Sequence, residues 1–251
     1  MNSAFVHENA IVAPDARIEP GAYIDAGVVV GEGAHIRVGT VLLPGTRVGA
    51  HTRIGPYAVI GGEPMDAAFS GEESFVEIGE RCDIREFVTI HRATGAGKST
   101  VIGPHSLLMS YVHASHNAII GTGVTITTLS QLAGHVVVGD YANLGSGAMI
   151  HQYVHIGSYA MVGATSGVNR DILPFSLARG NLAKHYRANA VGLRRHEFSS
   201  AEISLLQRAF RALRTKNAEA LAELAVESSH VRALQEFITA STRGISGFAG
   251  R

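Results

Sequence analysis

Residues 132–168 read LAGHVVVGDYANLGSGAMIHQYVHIGSYAMVGATSGV. Within them Leu132, Val138, Leu144, Ile150, Ile156, Val162 and Val168 recur at every sixth position. The same phase runs outward to Val6. Of the 28 positions divisible by six from 6 to 168, 24 are Val, Ile or Leu, so one ruler spans two-thirds of the chain. The exceptions are Asp66, Glu72, Ala96 and Ala114. Four residues after the aliphatic one the side chain is usually small, as at Ala22, Thr40, Ser106, Ser130 and Ala160. A helix face repeats every 3.6 residues and a strand face every 2. Six is a multiple of two, so one strand residue per hexad points inward at a fixed place. A glycine often follows it directly, as at Gly103 and Gly139, and is expected to allow the dihedrals of turns between short strands. Three such strands close a triangular rung of about 18 residues. Stacked rungs pair as parallel strands, and nine of them make a prism on the order of 40–45 Å tall.

Composition agrees with a core of small and branched side chains: 29 Gly, no Trp and 6% aromatic residues fit this better than a core of large rings. Lys+Arg and Asp+Glu balance at 21 each, which gives no global attraction to nucleic acid or to an acidic membrane. A single cysteine, Cys82, excludes an internal disulfide framework and a Cys-rich metal site. The start lacks a basic segment followed by an apolar one, and no apolar run reaches the roughly 20 residues of a transmembrane helix. A cytoplasmic protein with no transmembrane segment is expected.

Two stretches break the hexads without losing their phase. Residues 61–76 and 92–100 read as loops projecting from the prism, either as tolerated insertions or as carriers of function, the first especially. After Val168 the rhythm stops. Residues 172–198 read as a connector, then Ser199-Ser200-Ala201-Glu202 forms a capping box before Ile203, Leu206, Phe210 and Leu213 at helical spacing. Two further helical stretches follow, near Ala218–Val226 and Val231–Thr239. The expected organisation is a β-helix over 1–172 and a C-terminal helical domain over 173–251.

From Ile102 to Val168 the phase is unbroken, so residues 18 apart stack. His116, Gly134 and Gln152 share one column; Asn117, His135 and Tyr153 share the next. A neutral imidazole can take a proton from an attacking hydroxyl near pH 7. A glycine N–H can approach a carbonyl and stabilise an oxyanion. The cluster suits acyl transfer. Taken by stacking alone, polar residues satisfying turns at a solvated corner are the preferred reading.

Several ordered segments then carry a resemblance: Ile90-His91-Arg92, Leu107-Leu108-Met109, His113-Ala114-Ser115-His116, Leu132-Ala133-Gly134-His135, His151-Gln152-Tyr153, Met161-Val162-Gly163, Gly180-Asn181, Gly192-Leu193-Arg194-Arg195, and Ser241-Thr242-Arg243-Gly244. Across essentially the whole chain they resemble the UDP-N-acetylglucosamine O-acyltransferases of lipid A biosynthesis. The resemblance implies a left-handed parallel β-helix of hexapeptide repeats with a C-terminal α-helical domain. It implies transfer of a 3-hydroxyacyl group from acyl carrier protein to the 3-hydroxyl of a UDP-sugar, by a homotrimer, with no cofactor and no metal. It casts His116 as the general base and Gly134 as the oxyanion donor. His113 would help bind substrate or only hold its loop, and His135 would line the site. Asp66, His151, Gln152, Asn189 and Arg195 would contact the nucleotide sugar or the acyl donor. For Asp66, Arg194 and Arg195 a solvated face is the plain alternative, and for His91 a structural turn role stands level with a site role.

Three positions depart from the family pattern. Asn117 follows the catalytic histidine where an aspartate is usual. Val191 stands where a glutamate commonly contacts the sugar. Ala164 stands at the acyl-chain ruler where glycine admits a longer chain. The first two leave open a relative that N-acylates a UDP-3-amino sugar. Thirteen histidines also leave open a γ-type carbonic anhydrase-like zinc protein, and a degraded site would leave a non-catalytic scaffold.

Overall fold

The computed structural model describes residues 3–250. They build a left-handed parallel β-helix capped by helices. Its three flat faces contain nine, eight and ten strands, beginning at Phe5–Val6, Ile11–Val12 and Arg17–Ile18. From the second insertion to Val168 strands pair 18 residues apart: His113 lies beside Gln131, and Gln131 beside Met149. The hexad aliphatics fill the interior, with Ile24, Ile54, Ile90, Ile126 and Leu144 fully buried. Small residues between them turn the corners. Where these are hydroxylic, the buried oxygen is satisfied: Thr40 Oγ1 donates to the Gly55 carbonyl at 2.8 Å and Ser130 Oγ to that of Gly145 at 3.0 Å.

The insertions explain both the exceptions and the surviving phase. Arg53 pairs with Asp83, 30 residues on, so the first loop adds twelve. Thr89 pairs with His113, 24 residues on, so the second adds six. Both lengths are multiples of six. Asp66, Glu72 and Ala96 belong to these inserts, whereas Ala114 is a buried strand residue of the first face.

The glycines after the aliphatic positions do a different job from the one expected. The left-handed corner residue lies two positions further on, at Tyr57, Phe87, Asn117, His135 and Tyr159, mostly without glycine. Gly139 instead has ordinary dihedrals, and a methyl there would sit 2.6 Å from the backbone nitrogen of Ser158 in the next rung. Close stacking of rungs, not turn geometry, excludes the side chain.

The third face continues beyond residue 172. Ser176–Arg179 adds in parallel beside Met161–Val162, and Lys184–Ala188 closes the face antiparallel. The segment read as a connector therefore carries two strands and a short helix, α1 (Ala190–Arg195), capped by Asn189. Then come α2 (Ser200–Thr215), with its Ser199–Glu202 capping box, α3 (Ala218–Glu227) and α4 (Ser229–Ala240). Leu193, Leu206, Phe210, Leu224 and Val231 pack with Leu173 and Phe175 into a second core. The tail then returns: Ser241 Oγ donates to Asp171 Oδ2 at 2.6 Å, and buried His185 bridges the Leu173 N–H and the Ser246 carbonyl. Among the described residues no helix is long and apolar enough to cross a membrane.

Candidate active site

Both inserts leave the corner between the first and second faces. His116–Asn117, Gly134–His135 and Gln152–Tyr153 turn that same corner on the next rungs. Beside it, on the first face, lies a cavity of about 550 Å³ lined by His113, His116, Gly134, His151 and Gln152, with Met65 and Leu182 at its edges. The column read from the sequence is real. A methyl on Gly134 would stand 2.5 Å from Nε2 and Cε1 of His116, so only glycine lets the ring lie against that backbone. Gly134 N–H has no acceptor among the described residues.

The His116 side chain is 11% exposed, enough to meet substrate while little solvated. Its Nδ1 lies 2.9 Å from Asn117 Oδ1. Asn117 is held in turn by the second insert: Oδ1 accepts the Thr94 N–H at 2.9 Å, and Nδ2 donates to the Thr94 carbonyl at 3.0 Å. These two backbone bonds assign the amide orientation, because the flipped amide would set donor against donor. Oδ1 therefore accepts from Nδ1–H, and the Nε2 lone pair faces the cavity side at Gly134.

The first insert brings Asp66 to the same ring. Its Oδ2 is 3.8 Å from His116 Nδ1, and its Oδ1 accepts the Ala68 N–H at 3.0 Å. That N–H, above all, holds the Asp66 carboxyl below the ordinary aspartate range. The inserts brace each other: Glu72 Oε1 accepts the Gly95 N–H at 2.7 Å, and Arg92 pairs with Glu63 and lies over Phe69. His135 meets His116 edge to face at 5.2 Å and stacks on Tyr153 at 4.6 Å. Burial lowers its affinity for a proton. His113 bonds Thr89 Oγ1 through Nδ1 at 2.7 Å, and burial pushes its pKa down to about 4, so it stays neutral near pH 7. His91 sits edge-on to it at 4.9 Å, with a buried Nδ1 lacking a partner among the described residues. His151 Nδ1 accepts from Arg243, which gives the tail motif a contact at the cavity wall.

Three expected site residues lie elsewhere. Asn189 and Arg195 line a separate cavity of about 340 Å³ over the third face, together with Val191. Asn189 is also committed locally: Oδ1 caps Gly192 and Nδ2 donates to the Tyr159 carbonyl. Ala164 lines a third cavity with Arg179, Tyr186 and Arg187. One copy of the chain thus gathers His113, His116, Gly134, His135, His151, Gln152 and Asp66, but not Asn189, Arg195 or Ala164. Thr94 escaped the sequence reading because its backbone, not its side chain, makes the contact. Arg243 was quoted only as part of a motif.

A coil of hexapeptide rungs with histidines and a free N–H converging at one corner defines a hexapeptide-repeat transferase. Residues 27–62 match the bacterial transferase hexapeptide model, and residues 171–246 match the model described as UDP N-acetylglucosamine O-acyltransferase, domain 2. The acyl-[acyl-carrier-protein]–UDP-N-acetylglucosamine O-acyltransferase of Thermodesulfovibrio yellowstonii is 45% identical over 193 residues, 74% of this chain and 75% of the relative. That of Alkalilimnicola ehrlichii is 40% identical over 195 residues, 75% and 76% of the two chains. The crystal structure of the UDP-N-acetylglucosamine acyltransferase from Bacteroides fragilis superposes with a TM-score of 0.92 at 34% identity, covering 96% of this chain and 97% of that one. The chain belongs to the UDP-N-acetylglucosamine O-acyltransferase family. Among the readings the sequence left open, this selects the acyltransferase over the zinc protein and the scaffold.

Proposed function

We propose that this chain is an acyl-[acyl carrier protein]:UDP-N-acetylglucosamine O-acyltransferase, acting at the first step of lipid A biosynthesis. The observation that carries the reaction chemistry is Nε2 of His116 lying against Gly134 while Asn117 Oδ1 holds Nδ1. His116 takes the proton of the sugar 3-hydroxyl as the oxygen attacks the thioester carbon of a 3-hydroxyacyl donor. Gly134 N–H stabilises the tetrahedral oxyanion. The intermediate collapses, the C–S bond breaks, and the proton passes from His116 to the departing thiolate. His113, kept neutral by burial, and His151 and Gln152 bind substrate in the cavity beside this pair, with His135 and Asp66 set against the His116 ring.

Asn189 and Arg195 serve the same site from a neighbouring copy. Support for a homotrimer is that these residues sit over the third face and His116 at the corner of the first two, a separation one chain does not bridge. Ala164 is the acyl ruler in this reading. Acyl carrier protein and a UDP-sugar are the partners, the enzyme works in the cytoplasm, and the reaction draws on no cofactor. The test is mass spectrometry of products from a panel of acyl carrier protein thioesters with UDP-N-acetylglucosamine and its 3-amino analogue. An ester on the 3-oxygen is expected; acylation of the amino sugar alone would refute the O-acyltransferase reading.

A further inference from the structure

We propose that Asp66 supplies His116 with the negative charge its direct partner Asn117 lacks, while the Thr94 backbone locks Asn117 so that His116 keeps its proton on Nδ1. The inference rests on the reading of His116 as the general base. On taking the sugar proton, that ring becomes an imidazolium with Nδ1–H already given to Asn117 Oδ1. An amide oxygen can orient the ring but carries no charge to oppose the new cation.

A carboxylate would not fit Asn117's place without cost. The Asn117 amide matches the Thr94 peptide edge to edge, donor to carbonyl and carbonyl to N–H. An aspartate there would set an oxygen against the Thr94 carbonyl with no proton between them. The fold therefore divides the task. The second insert fixes the tautomer through an amide, and the first insert brings a carboxylate to the same nitrogen. Asp66 Oδ2 stands 3.8 Å from Nδ1, beyond hydrogen-bond reach but well inside the range at which opposite charges couple. The side chains are 25% and 11% exposed, so water screens the pair only partly. The Ala68 N–H keeps Asp66 ionised and aims its other oxygen.

The remaining charged or titratable groups around the ring act in the opposite sense. His91 and His113 face it from the first face, and His135 from the next rung. Lys98, on the second insert, acts on His135. All four are cationic when protonated. Asp66 is the one carboxylate among the described residues within 4 Å of the ring. Asp66 and Asn117 are thus positioning residues, and Thr94 positions Asn117.

The test is a pH titration of the full protein with nitrogen-15-labelled histidine, the His116 ring being assigned by its loss in His116→Gln. The pH profile of kcat/KM is measured alongside. In Asp66→Asn the His116 titration and the acidic limb of kcat/KM should both move down by about one pH unit. The same change should lower kcat roughly ten- to a hundredfold while KM for the UDP-sugar changes less. Asp66→Glu, which keeps the charge on a longer side chain, should hold both curves closer to their original positions than Asp66→Asn does. An unmoved titration in Asp66→Asn, an effect confined to KM, or a shift in Asp66→Glu as large as that in Asp66→Asn would overturn the proposal. The NMR titration is read without substrate, so it is separate from the base assignment, which full turnover by His116→Gln would sink.

Discussion

The corner between the third and first faces and the corner between the first and second share one backbone and are put to opposite uses. At the former, Tyr57, Phe87 and Tyr111 occupy the left-handed positions of successive rungs and stack at 5.7 and 4.9 Å. No loop interrupts that column. At the latter, the equivalent positions carry Asn117, His135 and Tyr153, and both inserts leave from the rungs beneath. Repetition makes every rung alike, so a corner gains function only by what is added to it. Here the additions are two loops in multiples of six, which leave the coil's register intact while placing Asp66 and Thr94 around one histidine.

The hardest test of this contrast is His116→Ala. Loss of a general base should cost about 10²–10⁴ in kcat with little change in unfolding temperature. A loss under tenfold would mean that the working corner does not work as described. Gly134→Ala is subtler. The backbone there tolerates alanine, but the methyl would stand 2.5 Å from the His116 ring and must displace it. We expect kcat to fall on the order of 10–100-fold from misplacement alone, with KM nearly constant.

Acid should separate the two corners next. Burial depresses His113 to about 4, whereas an unfolded histidine titrates near 6.5. As pH falls below about 6.5 the unfolded chain binds the proton first. Stability is therefore fully present above that pH and is lost as pH falls toward 4. After discounting for partial exposure, about 2 kcal/mol is at stake. Denaturant titration from pH 7 to pH 4 should show this loss, and His113→Gln should flatten it. The Tyr57–Phe87–Tyr111 stack contains no histidine or carboxylate and should be insensitive. Phe87→Ala, which removes two stacked pairs from a half-exposed site, should cost about 1–2 kcal/mol of stability and leave kcat within about twofold. Phe87→Gly should recover part of that, because φ is +58° and glycine adopts it freely.

How much of this the sequence revealed follows from where its ruler stayed whole. From Ile102 to Val168 no residue is inserted, so counting by 18 places His116, Gly134 and Gln152 together, and the structure agrees. Asp66 and Thr94 lie inside the inserts, where counting fails. The broken stretch 61–76, with Asp66 on a hexad position against the pattern, was the signal that it left the coil. Thr94 gave none, since a backbone contact does not depend on residue type. The glycines after the aliphatics were visible but misattributed: periodicity cannot tell a positive φ from a close approach between rungs. Val191 and Arg195 lie over the third face, and their distance from His116 within one copy is a property of the fold that no residue spacing records.

The smallest expected effect lies at the top of the stacking corner itself, where Ala164 turns from the third face toward the first. Its methyl borders a cavity shared with Met161, Leu177 and Tyr186. Far from His116 in the same copy, Ala164 would bear on the reaction, in the proposed trimer, through an acyl chain laid from a neighbouring copy's His116 across the face that Ala164 borders. Removing one methyl changes apolar contact by less than about 1 kcal/mol, so kcat should be almost unchanged and only the preferred donor should lengthen, by one or two methylenes. Competition between acyl carrier protein thioesters of graded length reads that shift directly. If Ala164→Gly leaves the profile where it was, the stacking corner is purely structural and the contrast between the two corners is sharper than argued above. If the profile moves, the same corner that holds one copy together also measures substrate for another.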